Sequence, residues 1–102
     1  MYYVRKIKTP EGFIMVTVTD EEVLDRAAYD EERGIRLVVS RSFYKGDLLR
    51  EAQVLEAIQE ADIIVLTGER SVQLGISLGL VHPDSVLEVK GLKQVQVFKF
   101  LY

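Results

Sequence analysis

No cysteine occurs among the 102 residues. That absence excludes disulfides, Cys-ligated zinc, iron–sulfur clusters and thiol catalysis together. Histidine is nearly as scarce: His82 stands alone, so proton shuttling near neutral pH has a single imidazole candidate. No stretch approaches the roughly 20 uninterrupted apolar residues of a membrane span, and residues 1–12 lack the apolar run of a secretory signal. A cytoplasmic protein without a membrane partner is expected. With 48% apolar residues, the chain has material for one hydrophobic core and is too short for two. Residues 1–102 are therefore expected to form a single domain.

The formal charge of −3 conceals a segregation along the chain. Residues 20–32 hold seven acids (Asp20, Glu21, Glu22, Asp25, Asp30, Glu31, Glu32) against Arg26, a net of −6. Residues 33–50 hold five bases (Arg33, Arg36, Arg41, Lys45, Arg50) against Asp47, a net of +4. Such a mean charge argues against a general nucleic-acid binder, whereas the pattern permits one basic face. The competing reading is a solvated, ion-paired surface.

Periodicity predicts a β-hairpin first: residues 2–8 alternate apolar and charged, residues 13–18 are β-rich, and Thr9-Pro10-Glu11-Gly12 supplies the turn. A helix is expected from Thr19 or Asp20, with acids in its first turn and Val23, Leu24 and Ala27 as its apolar stripe. A third strand follows at residues 35–40. Gly46 and Asp47 read as a turn and helix cap, opening a helix with Leu48, Ala52 and Leu55 on one stripe. Residues 63–66 read as a buried strand, residues 69–78 as a second long helix, and residues 86–89 and 95–101 as closing strands. Gly75 is expected beneath a close neighbour, and Gly79 at the helix end. The unit from Ile63 to Val89 would be a parallel, right-handed crossover. The sum is an α+β two-layer sandwich: a mixed sheet of about five or six strands with about three helices, mainly on one face.

Three runs, Phe43-Tyr44-x-Gly46, Thr67-Gly68-Glu69-x-x-Val72 and Gly79-Leu80-Val81-x-Pro83-x-Ser85-Val86, resemble a small archaeal family known as domain of unknown function 424. The likeness spans nearly the whole chain. It implies an archaeal cytoplasmic protein with a compact α+β fold and supplies no activity. Where that family often has Cys-Asp-Glu, this chain has Thr19-Asp20-Glu21. Where it tends to end in Pro-His-Ala-Gln, this chain has Lys93-Gln94-Val95-Gln96 and keeps only the last glutamine. A thiol or imidazole acting in relatives would be lost here, which lowers the enzymatic reading.

Two segments are candidate sites. Residues 40–46, Ser-Arg-Ser-Phe-Tyr-Lys-Gly, interleave bases, hydroxyls and aromatic rings in a turn. Single-stranded nucleic acid is gripped by this mixture, rings stacking on bases and cations tracking phosphates. Arg33, Arg36, Arg41, Phe43, Tyr44, Lys45 and Arg50 are the candidate contacts, with RNA or ribosome-associated proteins as partners. The bland alternative has Phe43 or Tyr44 anchoring the turn in the core. The loop Thr67-Gly68-Glu69-Arg70-Ser71 follows a buried strand and opens a helix, so its free N–H groups suit a small anion or nucleotide ligand, with Thr67, Gly68, Arg70 and Ser71 as contacts. It lacks phosphate-loop spacing, and Glu69 repels anions. A helix capped by Thr67 is the structural alternative.

His82 with Asp84 could form half of an acid–base pair but shows no positioned partner. The acids at Asp20, Glu21, Glu22 and Asp25 have no histidine beside them and do not suggest a metal. Phe98, Phe100 and Tyr102, with Tyr2 and Tyr3, fall on terminal strands and could form a sheet-face platform or a self-association surface, making a homodimer the second reading. No cofactor is implied, and catalysis is the least supported class.

Overall fold

The structure, a computed structural model, describes residues 1–100. In chain order its strands are β1 (Tyr2–Lys8), β2 (Ile14–Asp20), β3 (Ala27–Asp30), β4 (Ile35–Val38), β5 (Asp47–Leu49), β6 (Ile63–Thr67), β7 (Leu87–Val89) and β8 (Leu92–Phe98). Its helices are α1 (Arg41–Tyr44), α2 (Glu51–Glu60) and α3 (Glu69–Ser77), with 3-10 turns at Glu21–Val23 and Pro83–Ser85. Among the described residues, six strands form a mixed sheet in the order β5-β1-β2-β6-β8-β7, and β3 pairs with β4 in a separate ribbon. The architecture is α+β, as expected.

The register assigns the two faces of the sheet. Val4 lies opposite Val18, Val16 opposite Ile64, and Leu66 opposite Val95. These side chains form the main core with Val54 and Ile58 of α2 and Val72 and Leu74 of α3. Helices α2 and α3 cover this helical face, where Val16, Val18, Val54, Ile64 and Leu66 are fully buried. At ~25 cal/mol per Å² of apolar area removed from water, this layer is the dominant favourable contribution to folding. Gly75 lets α3 approach β6, because a Cβ there would overlap Leu66 Cδ1 and Val81 Cγ2. That is the close packing its position in an amphipathic helix predicts.

On the opposite face the rows run Tyr3-Thr19-Thr67-Gln94, then Arg5-Thr17-Val65-Gln96, then Ile7-Met15-Ile63-Phe98. A second, smaller core of Val23, Ala28, Leu37, Val39, Val89 and Leu92 lies where the β3–β4 ribbon meets β7 and β8 on this side.

Three expectations fail, each for an identifiable reason. The first helix does not form. Strand β2 runs on to Asp20, since alternating Val16, Thr17, Val18 and Thr19 pair with both β1 and β6, and tertiary pairing outweighs the acidic helix-start signal. A single 3-10 turn follows, and Asp25 at φ 71° turns the chain into β3. Leu48 belongs to no helix. Residues 47–49 add an edge strand to β1, Leu48 opposite Tyr3, and α2 begins only at Glu51, with the Gln53 side chain accepting from the Arg50 N–H at 3.2 Å.

The unit from Ile63 to Val89 is a parallel crossover, as expected, but skips a place: β6 and β7 run the same way, joined by α3, with β8 antiparallel between them, and β2 is the parallel strand hydrogen-bonded to β6. Lys90 (φ 51°) and Gly91 (φ 84°) make the two-residue turn that folds β7 back on β8 and leaves the longer β8 against β6. Finally, the last strand ends at Phe98 rather than Leu101. Leu101 and Tyr102 lie outside the described residues.

Candidate nucleic-acid interface

Helix α1 is one turn long, follows Ser40 in extended conformation and buries none of its residues. It is held by long-range contacts. Arg5, on the opposite face of β1, donates through Nη1 to the carbonyls of Ser42 (3.0 Å) and Phe43 (2.8 Å). These are the orphan carbonyls a short helix leaves unpaired, and a guanidinium is well suited to satisfy two at once. The same guanidinium lies 5.7 Å from the centroid of the Phe43 ring, within cation–π range. Phe43 meets Tyr44 edge-on at 4.8 Å and is 39% exposed.

Tyr44 points the other way. Its hydroxyl accepts from Gln94 Nε2 at 3.0 Å, and that amide also donates to Thr67 Oγ1 at 3.0 Å. Tyr44 therefore anchors the turn on the sheet and packs on the smaller core, while Phe43 stays in solvent. Of the aromatic pair, Tyr44 is the ring that anchors the turn and Phe43 is the exposed one. Gly46 completes the turn: a Cβ there would overlap the Val4 carbonyl, so the chain crosses the edge of β1 only because no side chain intervenes.

The seven candidate contacts do not form one cluster. Arg41, Phe43, Tyr44 and Lys45 share the α1 turn, with Lys45 exposed beside it. Arg41 pairs with Asp25 at 2.6 Å, and this bond raises its pKa. Arg33 lies at the tip of the ribbon, bonded to Asp30 and to the Glu88 carbonyl, both at 2.6 Å, and the guanidinium holds the Asp30 carboxyl below the usual carboxylate range. Arg36 lies over Tyr29 at 5.9 Å on the same ribbon. Arg50 precedes α2. The acidic segment thus neutralises part of the basic one through pairs that sequence proximity only hinted at. Arg5 was missed, and nothing in its strand pattern signals a contact with carbonyls 37 and 38 residues away.

The loop from Thr67 to Ser71 is built around an internal carboxylate. Asp20, 1% exposed, accepts from the Arg70 N–H (2.8 Å) through Oδ2, and from the Ser71 N–H (2.8 Å) and Ser71 hydroxyl (2.7 Å) through Oδ1. The start of α3 therefore has its anion, supplied by the chain itself. Gly68 is required twice over: its φ of 105° is left-handed, and a Cβ would collide with the Asp20 side chain. Thr67 does not cap α3; its hydroxyl serves Gln94. Any added anion would have to displace a buried carboxylate.

Arg70 turns outward to Glu22, with Nε at 3.0 Å and Nη2 at 2.5 Å from its two oxygens, and lies 4.7 Å from the Tyr2 ring centroid. The fork of donors pulls the Glu22 pKa from 4.5 to about 2. Since the folded state has the lower pKa, the pair stabilises above the unfolded value and its contribution vanishes as pH falls from 4.5 through about 2. Both side chains are partly solvated, so screening limits the contribution to about 1 kcal/mol or less. Urea unfolding of Glu22→Gln should show such a deficit at pH 6.5 and none near pH 2. A deficit that persists in acid would remove the ion pair as its cause.

His82 accepts the Asp84 N–H at 3.1 Å through Nδ1, and its side chain is 71% exposed. The 3.6 Å approach of Nδ1 to the Asp84 carboxylate requires a proton on the same nitrogen, so the two contacts exclude each other. The shorter one makes His82 the cap of the following 3-10 turn. Among the described residues, no three His, Asp or Glu side chains converge as metal ligands, and no helix is long and apolar enough to cross a membrane.

No curated protein matches the chain. The crystal structure of an uncharacterized conserved protein from Methanopyrus kandleri is similar, with 23% identity, 99% of this chain and 97% of that chain covered, and a TM-score of 0.74. At that identity the likeness establishes a shared fold. A family model described as protein of unknown function DUF424 matches residues 7–100, nearly all of the chain carrying the three runs read in the sequence. This chain belongs to the DUF424 family.

Proposed function

We propose that the protein is a non-catalytic binding module that contacts single-stranded RNA, free or within the translation machinery, through Arg5, Arg41, Phe43 and Lys45. The observation that carries this reading is the exposed Phe43 ring with the Arg5 guanidinium fixed over it. A solvent-facing ring can stack on a base, and the flanking cations can neutralise phosphates. Tyr44 supports the ring from below by tying α1 to Gln94. Arg33, Arg36 and Arg50 contribute only to the long-range field, because their positions on the ribbon and at α2 leave them apart from the ring. A cytoplasmic location and a single folding unit accompany this reading.

Lys45→Glu tests it without touching the fold, because the side chain is exposed. With a fluorescein-labelled single-stranded RNA, anisotropy should give a log K against log salt slope of about −1.4 for two phosphates neutralised by Arg5 and Lys45, at ~0.7 each, since Arg41 is matched by Asp25. Lys45→Glu should bind several-fold more weakly at 50 mM salt, as expected when roughly one phosphate is no longer neutralised. Lys90→Glu, at the ribbon side, should match wild type. Equal affinity in all three proteins would reject the assignment.

A further inference from the structure

We infer that the cleft between α3 and β7 is a binding site for a small zwitterion, an α-amino acid with an aliphatic side chain. The cleft encloses about 190 Å³ and shares no residue with the α1 turn. Val72 and Ile76, one turn apart on α3, line it together with Pro83 and Val86 of the segment leading into β7. Three charges stand around this apolar lining: Glu69 at the start of α3, Glu88 on β7, and Lys93 opposite Glu88 on β8. Lys93 Nζ lies 2.9 Å from Glu69 and 3.9 Å from Glu88. The first contact is an ion pair at hydrogen-bond distance, whereas the second is beyond hydrogen-bond reach. The ammonium therefore keeps donors for another acceptor, and the Glu88 carboxylate has room for another donor. The Glu88 main chain is secured separately, its carbonyl accepting from Arg33 at 2.6 Å.

Charge and size select the ligand. A carboxylate beside an ammonium, each with unused bonding capacity, is complementary to a molecule carrying both signs. A simple cation or a simple anion would meet a like charge here. In an α-amino acid the ammonium nitrogen and carboxylate carbon are about 2.5 Å apart across one Cα. Laid antiparallel to the Glu88–Lys93 pair, its ammonium reaches Glu88 and its carboxylate reaches Lys93, giving two charge-assisted hydrogen bonds. Its side chain then falls on Val72, Ile76, Pro83 and Val86. Those side chains carry no hydrogen-bonding group, so a polar ligand side chain would lose its bonds to water without replacement. An acidic one would also face Glu69. Sites for drug-sized ligands run to roughly 300–1,000 Å³, so a cleft of about 190 Å³ is too small for a nucleotide and suits a branched aliphatic amino acid.

Leucine and its two singly charged analogues test this. Methyl and amide shifts of the ¹³C,¹⁵N-labelled protein would be followed during titration with L-leucine, with isoamylamine, which lacks the carboxylate, and with isocaproate, which lacks the ammonium. Leucine should give saturable shifts on Val72, Ile76 and Val86, at an affinity at least tenfold above either analogue. Glu88→Gln and Lys93→Gln should each weaken leucine binding by about tenfold, as one charge-assisted bond is lost. Both variants should melt within a few degrees of wild type, since neither side chain belongs to either core. Isoamylamine binding as tightly as leucine would make the cleft a plain cation site and overturn the inference; isocaproate doing so would make it an anion site, with the same consequence. Leucine shifts unaffected by both substitutions, or no shifts at 20 mM leucine, would overturn it as well.

Discussion

Replacing Asp20 by alanine should lower the thermal midpoint by roughly 10–30 °C, from a loss of 2–4 kcal/mol in a domain of this size. The carboxylate satisfies two N–H groups at the start of α3 and the Ser71 hydroxyl, all from a position 1% exposed. Alanine leaves those donors unpaired, the Ser71 N–H and hydroxyl among them buried. Asp20→Asn should cost less, because one oxygen still accepts while the amide nitrogen faces a donor. Glu32→Ala, a change on the exposed ribbon turn, should stay within about 0.5 kcal/mol of wild type. Circular dichroism melts of the three variants decide the matter. A midpoint within a few degrees of wild type for Asp20→Ala would mean that water readily replaces the carboxylate.

The second large effect concerns the proposed interface. Phe43→Ala should weaken single-stranded RNA binding by about 5–150-fold, the equivalent of one base stack of ~1–3 kcal/mol. Its stability should change little, since the ring is 39% exposed and α1 buries none of its residues. Phe43→Trp, which enlarges the π-surface, should retain or strengthen binding. Anisotropy titration at fixed salt measures all three proteins. Equal affinities would leave α1 as a structural turn whose exposed ring has no binding role.

Much of the fold was legible because it depends on local signals. The hairpin turn around Pro10 and Gly12, the buried run at residues 63–66, the α3 stripe and the close contact at Gly75 follow from residue type and spacing. What misled was pairing between distant segments. The Thr19-Asp20-Glu21 run has a good helix-start composition, yet the two-sided pairing of β2 with β1 and β6 keeps it extended, and Asp20 caps a different helix 50 residues later. The same holds for Leu48, whose helical spacing was outcompeted by an edge position opposite Tyr3.

At the candidate interface, composition located the α1 turn but could not say which ring faces solvent. That depends on the hydrogen bond from Gln94 to Tyr44. Nor could it supply Arg5, whose partners are carbonyls brought near only by folding. The basic run of residues 33–50 overstated the patch, because Arg33 and Arg41 are matched by Asp30 and Asp25. Charge counted along a chain is not charge gathered on a surface.

Amide chemical-shift mapping of the ¹⁵N-labelled protein during titration with an eight-nucleotide single-stranded RNA tests the proposed role most directly. The account predicts that the largest shifts fall on Arg5 and on residues 41–45, with α2 and α3 unmoved. Shifts centred on the ribbon tip near Arg33, on α2, or nowhere at saturating RNA would contradict it.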